Sequence, residues 1–143
     1  MVRELPEGET ELAARALLEL RPDSGPADAL VTAIDRVHRP AGYRLVAAFD
    51  DGERDAAAVA GFRFEEKLAW GRFLYVDDLV TAADRRGRGH ADRLFEWLYE
   101  EAARERCTQF HLDSGVGPER ADAHRFYFRH GMRITSYHFA RGL

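Results

Sequence analysis

Between positions 86 and 91 the chain reads Arg86-Gly87-Arg88-Gly89-His90-Ala91, where a strand-like pattern gives way to a helical one. Glycines let backbone approach a ligand closely, and a helix start presents N–H groups that have no intrahelical partner. Such a turn suits an anion, and Arg86 and Arg88 can add charge-assisted hydrogen bonds. The same residues also fit a solvated turn whose arginines face water. Two nucleotide-loop patterns are absent. No Lys-Ser/Thr pair follows either glycine, and Asp92 stands where GxGxxG needs its third glycine.

Upstream, Asp77 and Asp78 interrupt the apolar strand "RFLYVDDLVT". Neighbours on a strand point to opposite faces, and burying an unpaired charge is costly. One carboxylate is therefore expected in a polar groove and the other against an arginine, with a salt bridge as the plain alternative for either. Downstream, His111 and Asp113 share one face of "TQFHLD" by alternation, and Ser114 follows them. His111 suits a base, a substrate-positioning group or an ordinary hydrogen-bonded sheet histidine. Ser114 suits a substrate contact or a cap for the next loop. Tyr127 shares one side of a helical pattern with Ala123 and Phe126, so taken alone it reads as core rather than chemistry. No metal site is expected. His124 and His130 are six apart and do not share a helix face, and the HxD of His111 and Asp113 is a weak pattern. No G-x-S-x-G elbow is present for a serine hydrolase.

The elements that must hold these residues follow from periodicity. "VREL" reads as a strand, and Leu12, Ala13, Ala16, Leu17 and Leu20 mark one side of a helix that "RPDSGP" breaks. A second helix is predicted over 27–38, with Leu30, Ile34 and Val37 inward. Three strands joined by short turns then form an antiparallel meander: "YRLVAAF", "AAAVAGFRFEE" with Phe62 and Phe64 on one face, and "RFLYVDDLVT". The helix after the glycine turn carries Ala91, Leu94, Phe95, Leu98 and Ala102 inward, with Glu96, Glu100 and Glu101 elsewhere on its circumference. A parallel strand, the Tyr127 helix capped by Gly131, and a last strand in "MRITSYHFARGL" complete the order β-α-α-β-β-β-α-β-α-β. The expected fold is α/β (α+β), a mixed, mostly antiparallel sheet with helices on both faces, built as one domain over 1–143.

Composition limits the partners. The chain has 143 residues, 45% of them apolar and 32% charged, an ordinary balance for one globular domain. A net charge of -4 argues against nucleic acid and anionic membranes as partners, so any anion site must be local. The lone cysteine, Cys107, excludes an internal disulfide and reads as a small buried hydrophobe. The N-terminal residues lack a signal-peptide pattern, and no apolar run reaches membrane-spanning length, so a cytoplasmic location is expected.

"DDLVTAADRRGRGHADRLFEWL" resembles the core motif of the GNAT superfamily of acyl-CoA N-acyltransferases, Arg/Gln-x-x-Gly-x-Gly/Ala. Arg86, Gly89 and Ala91 fill its fixed places, and Leu79 and Thr81 match inward positions of the strand before it. "DAHRFYFRHGM" is similar to the superfamily's penultimate helix, with Tyr127 four residues before Gly131. Two positions depart: Ala83 stands where a proline is frequent, and Asp92 puts an acid in the first helical turn, where it can favour the helix dipole.

The resemblance implies transfer of an acetyl group from acetyl-CoA to an amine, without a metal. It implies a pyrophosphate cradle from Arg86, Gly87, Arg88, Gly89, His90 and Ala91, and pairing of the pantetheine arm with backbone of Leu79, Val80 and Thr81. Tyr127 would protonate the departing CoA sulfur, its ordinary pKa of about 10 being close to that of a thiol. "YVDDLVTAADRRGRG" is similar to the polyamine-acetylating branch, which favours Asp77 as base, directly or through water, with Asp78 binding substrate or supporting catalysis; His111 and water are the other candidates for the base. Asp78, Asp113 and Ser114 would give an acceptor end suited to a cationic small amine. The alternative is a GNAT-fold module that binds acyl-CoA as a sensor without turnover. A second copy of the chain, paired through the C-terminal strand, is the one protein partner expected.

Overall fold

The structure, a computed structural model, describes residues 1–143, which fall into two compact units, Met1–His111 and Leu112–Leu143. The first begins with β1 (Val2–Leu5), α1 (Glu11–Leu20) and α2 (Ala27–Ala33). It continues through β2 (Arg44–Ala48), β3 (Ala58–Lys67), β4 (Gly71–Thr81) and α3 (His90–Arg104) to all but the last residue of β5 (Gln109–Leu112). The sheet order is β1-β2-β3-β4-β5, and the first four strands run antiparallel. The meander is the one the alternation predicts.

Each face of the sheet takes its own helices. Leu5, Leu45, Ala47, Val59 and Val80 pack with Ala13, Ala16 and Leu17 of α1 and Leu30 of α2. The small residues of α1 let it lie close to the strands. On the opposite face Phe62 meets Trp97 of α3 with ring centres 5.8 Å apart, and Leu94, Phe95 and Leu98 are fully buried. Phe62 and Phe64 share that face, as their spacing requires, with ring centres 5.8 Å apart.

Three details differ from the sequence reading. The second helix widens into a π-helical turn over Ile34–His38, which carries Val37 off the inner side and leaves it 62% exposed. Glu101 is buried rather than solvated: Arg44 Nη2 donates to its Oε1 at 2.8 Å and Arg104 Nε to its Oε2 at 2.8 Å. Its burial works against ionisation, yet the two arginines hold its carboxyl below the usual range. Cys107 is only half-buried, and burial raises its thiol pKa.

A bulge in β4 shapes the site. Gly61 of β3 faces Asp78 while Phe62 faces Val76, so Asp77 is an extra residue with no partner across the ladder. Alternation slips by one across such an insertion. Tyr75 and Asp78, three apart, consequently share a face, and Asp77 turns toward it as well.

The second unit holds α4 (Ala121–Arg129), entered through a short turn over Pro118–Arg120. Gly131, at φ 77°, ends it: Gly131 N–H donates to Phe128 O at 3.0 Å and Met132 N–H to Tyr127 O at 3.0 Å. This is the glycine cap expected, in its Schellman form. The predicted last strand does not form. Residues 132–143 have no regular secondary structure, and Ile134, Tyr137 and Phe139 are exposed. Alternation becomes a strand only when a ladder partner satisfies its backbone, and none pairs with this segment.

Candidate active site

A cavity of about 390 Å³ opens on the α1/α2 side of the sheet, lined in part by Leu17, Arg21, Tyr43, Tyr75, Asp77 and Asp78. The two carboxylates expected on opposite faces both reach it because of the bulge. Both also meet arginines. Arg63 Nη2 donates to Asp77 Oδ2 at 2.7 Å and Arg63 Nε to the same oxygen at 3.1 Å. Arg21 Nε donates to Asp78 Oδ1 at 2.9 Å, and Tyr43 Oη donates to Asp78 Oδ2 at 2.8 Å. Burial pushes the Asp77 carboxyl above its ordinary pKa, and Arg63 opposes that shift without cancelling it.

Past the end of β4 the chain makes a short turn over Ala83–Arg85 and enters α3 through Gly87 and Gly89, at φ 77° and 76°. Both values lie in the left-handed region that glycine adopts without cost. Nothing stands within 4 Å of where a Cβ of Gly87 would be, so the turn is open on that side. Arg86 is exposed. Arg88, expected to face the ligand directly, instead donates to Asp50 Oδ2 at 2.9 Å. His90, the first helical residue, is buried, with Nε2 3.0 Å from Asp50 Oδ1.

Leu79, Val80 and Thr81 pair with Ala60, Val59 and Ala58 of β3. Val80 is buried on the α1/α2 side, and its two neighbours are half-buried. On the other edge, Thr108 N–H, just before β5, donates to Arg72 O at 2.9 Å at the start of β4. At about 3.3 Å per residue, the four residues of β5 span far less than the eleven of β4. The β4 edge at Leu79–Thr81 is thus beyond the reach of that pairing.

His111 does not line the cavity. Its ring stacks on Trp70 at 3.7 Å between centres, and its Nε2 lies 2.6 Å from Gln109 Oε1, the arrangement of a packed sheet histidine. In the second unit, Asp113 Oδ1 lies 3.6 Å from His138 Nδ1. His124 Nε2 lies 2.9 Å from Gly115 O and 3.1 Å from Ser114 Oγ, so Ser114 helps to hold its loop to α4. Tyr127 is half-buried on α4, and burial raises its pKa while Arg120 works weakly against it.

Residues 9–132 match the model of the acetyltransferase (GNAT) family. The chain belongs to the GNAT family. It is 36% identical over 72 residues to the uncharacterized N-acetyltransferase YhdJ of Bacillus subtilis (strain 168), a match covering 50% of this chain and 49% of that protein. It is 31% identical over 68 residues to the aminoalkylphosphonate N-acetyltransferase of Salmonella typhimurium, covering 48% of this chain and 43% of that one. The chain spans about half the length of the curated relatives it matches. A ribosomal-protein-alanine N-acetyltransferase structure from Brucella melitensis biovar Abortus 2308 shares the fold, with a TM-score of 0.84, 18% identity and coverage of 100% of this chain and 99% of that one.

GNAT enzymes take their acyl group from acetyl-CoA, and this chain's turn fits the pyrophosphate of that donor. Two left-handed glycines open into a helix of fifteen residues, and its start favours negative charge. Tyr43, Arg21, Arg63 and Asp50 were not among the residues the sequence singled out. Each is linked to the site only through the folded sheet.

Proposed function

We propose that this protein is a cytoplasmic N-acetyltransferase that moves an acetyl group from acetyl-CoA to the primary amine of a small molecule. One observation carries the reading: the bulged strand that brings Asp77 and Asp78 to a cavity leads directly into the open glycine turn at the start of α3. Acetyl-CoA supplies an activated acyl group as its thioester. Backbone N–H groups of Gly87–Ala91, helped by Arg86 and Arg88, hold the pyrophosphate, and the free edge at Leu79–Thr81 pairs with the pantetheine arm as an added strand would. Asp77 removes the proton of the incoming ammonium, directly or through water. Its raised pKa makes it a better proton acceptor than an ordinary aspartate. Asp78 binds the amine end. Tyr127, kept protonated by burial, donates to the leaving sulfur.

The two carboxylates support a cationic acceptor. Arg21 supports a more specific form of it. Its side chain is 49% exposed at the cavity and leaves N–H groups beyond those given to Asp78 and the Asp77 carbonyl. An acceptor bearing an anionic group near its amine would use both ends, and one relative is named for acetylating aminoalkylphosphonates. Steady-state transfer to a panel of polyamines, amino sugars, amino acids and aminoalkylphosphonates, read as released thiol, tests the proposal. Binding of CoA without transfer to any amine would favour the sensor alternative.

A further inference from the structure

Asp50 lies in the turn after β2, far in sequence from the residues of the donor site, yet three cationic or imidazole side chains of that site converge on it. Its Oδ2 accepts from Arg85 Nη1 at 2.8 Å and from Arg88 Nη1 at 2.9 Å, and its Oδ1 lies 3.0 Å from His90 Nε2. On the other side of the glycine turn, Arg93 Nη2 is 2.8 Å from His90 Nδ1, and Arg93 Nη1 donates to the Arg88 carbonyl at 3.2 Å. These contacts close a ring that runs from the Arg88 side chain through Asp50, His90 and Arg93 back to the Arg88 backbone. Gly89 is the residue that joins Arg88 to His90 along the chain.

The ring has a rigid part and a movable part. The side chains of His90 and Arg85 are 2% and 15% exposed, whereas that of Arg88 is 51% exposed. Arg93 occupies Nδ1 of His90, so the imidazole proton belongs on Nε2, facing the carboxylate. That nitrogen is buried and close to Asp50 without being well aligned to it, and no other polar group serves it. A buried donor of this kind costs stability unless an acceptor stays beside it.

We propose that Asp50 is a positioning residue for the acyl donor. It ties the Gly87–Gly89 turn, through His90 and Arg85, into the shape that presents its N–H groups outward. It also holds Arg88 within reach of the pyrophosphate, to which that exposed guanidinium swings when the donor binds. The inference rests on the reading of this turn as the CoA site.

The test compares the wild-type protein with Asp50→Asn, which keeps the side chain's size and removes its charge. CoA affinity by calorimetry and KM for acetyl-CoA should each weaken about tenfold, the effect of losing a hydrogen bond to a charged group. Turnover at saturating donor should stay within about twofold, because binding and not the reacting atoms is affected. Asp50→Glu should restore much of the affinity. Amide hydrogen exchange at Gly87–Ala91 should quicken in Asp50→Asn without donor present, while Leu94–Leu98 stays protected. Unchanged exchange and unchanged affinity would overturn the proposal, as would tighter binding, which would make Asp50 a mere competitor for Arg88. A wild-type protein that does not bind CoA defeats the donor-site reading instead, and the exchange experiment still reports on the ring. Should Asp50→Asn not fold, Arg93→Met breaks the same ring from its other side and carries the same expectations.

Discussion

The hydroxyl of Tyr43 reaches Asp78 Oδ2 at 2.8 Å by crossing Gly61, where a Cβ would come within 1.9 Å of the phenol oxygen. Gly61 is also the residue that faces Asp78 across the sheet at the bulge. One glycine therefore makes room for the side chain that orients the carboxylate. Burial first, and Asp78 second, push the Tyr43 phenol far above its ordinary range, so it remains a donor at any working pH. Gly61→Ala must displace Tyr43. Denaturant unfolding should show a loss of about 1–3 kcal/mol, the usual cost of overpacking a full core. In the surviving protein KM for the amine should rise while KM for acetyl-CoA is unaffected.

Asp77→Asn tests the proposed base. The base acts as its carboxylate, so the rate falls as pH drops through its pKa. Burial places that pKa above the ordinary value of about 3.9, and the acid limb of kcat/KM should lie correspondingly higher. The variant should lose this limb and about a hundredfold or more in kcat/KM, the range typical of general-base catalysis. A pH–rate profile like that of the wild type would hand the role to water, since His111 is committed to its stack on Trp70.

What the sequence made legible was periodic. The meander, the amphipathic helices and the glycine turn each repeat a local rule that neighbouring residues obey. The bulge at Asp77 breaks alternation by a single residue, and the adjacent acids looked like opposite-face neighbours for that reason. Partners of the site are long-range: Arg21 reaches Asp78 across 57 positions, and Arg88 reaches Asp50 across 38. No spacing rule links such pairs before the sheet is assembled. The C-terminal segment failed in the reverse sense. Its alternation was real, but a strand needs a partner and the alternation does not supply one.

Tyr127→Phe keeps the ring and removes the proposed acid. Turnover should drop about a hundredfold, while calorimetric CoA affinity and the melting temperature change little. The acid acts protonated, so the rate declines as pH rises through its pKa. Burial raises that value, which puts the alkaline limb from this group above the ordinary phenol pKa of about 10. A variant with wild-type turnover would remove Tyr127 from the chemistry and leave it as packing against Phe126.

The proposed donor site is tested most directly at Gly89, where conformation and charge can be separated. Its φ of 76° is left-handed, so any other residue is strained there. In Gly89→Ala the new Cβ would also come within 3.3 Å of Arg93 Nη1, the end of a flexible side chain that can move aside. That variant should lose about 1 kcal/mol of stability and bind CoA moderately less well. Gly89→Glu carries the same backbone strain and adds a carboxylate beside the N–H groups at the head of α3. It should melt near the alanine variant yet show no calorimetric CoA binding, because its own charge repels or replaces the pyrophosphate. The contrast matters more than either result. If both variants bind CoA equally, the effect is strain alone, and the pyrophosphate does not sit on this turn.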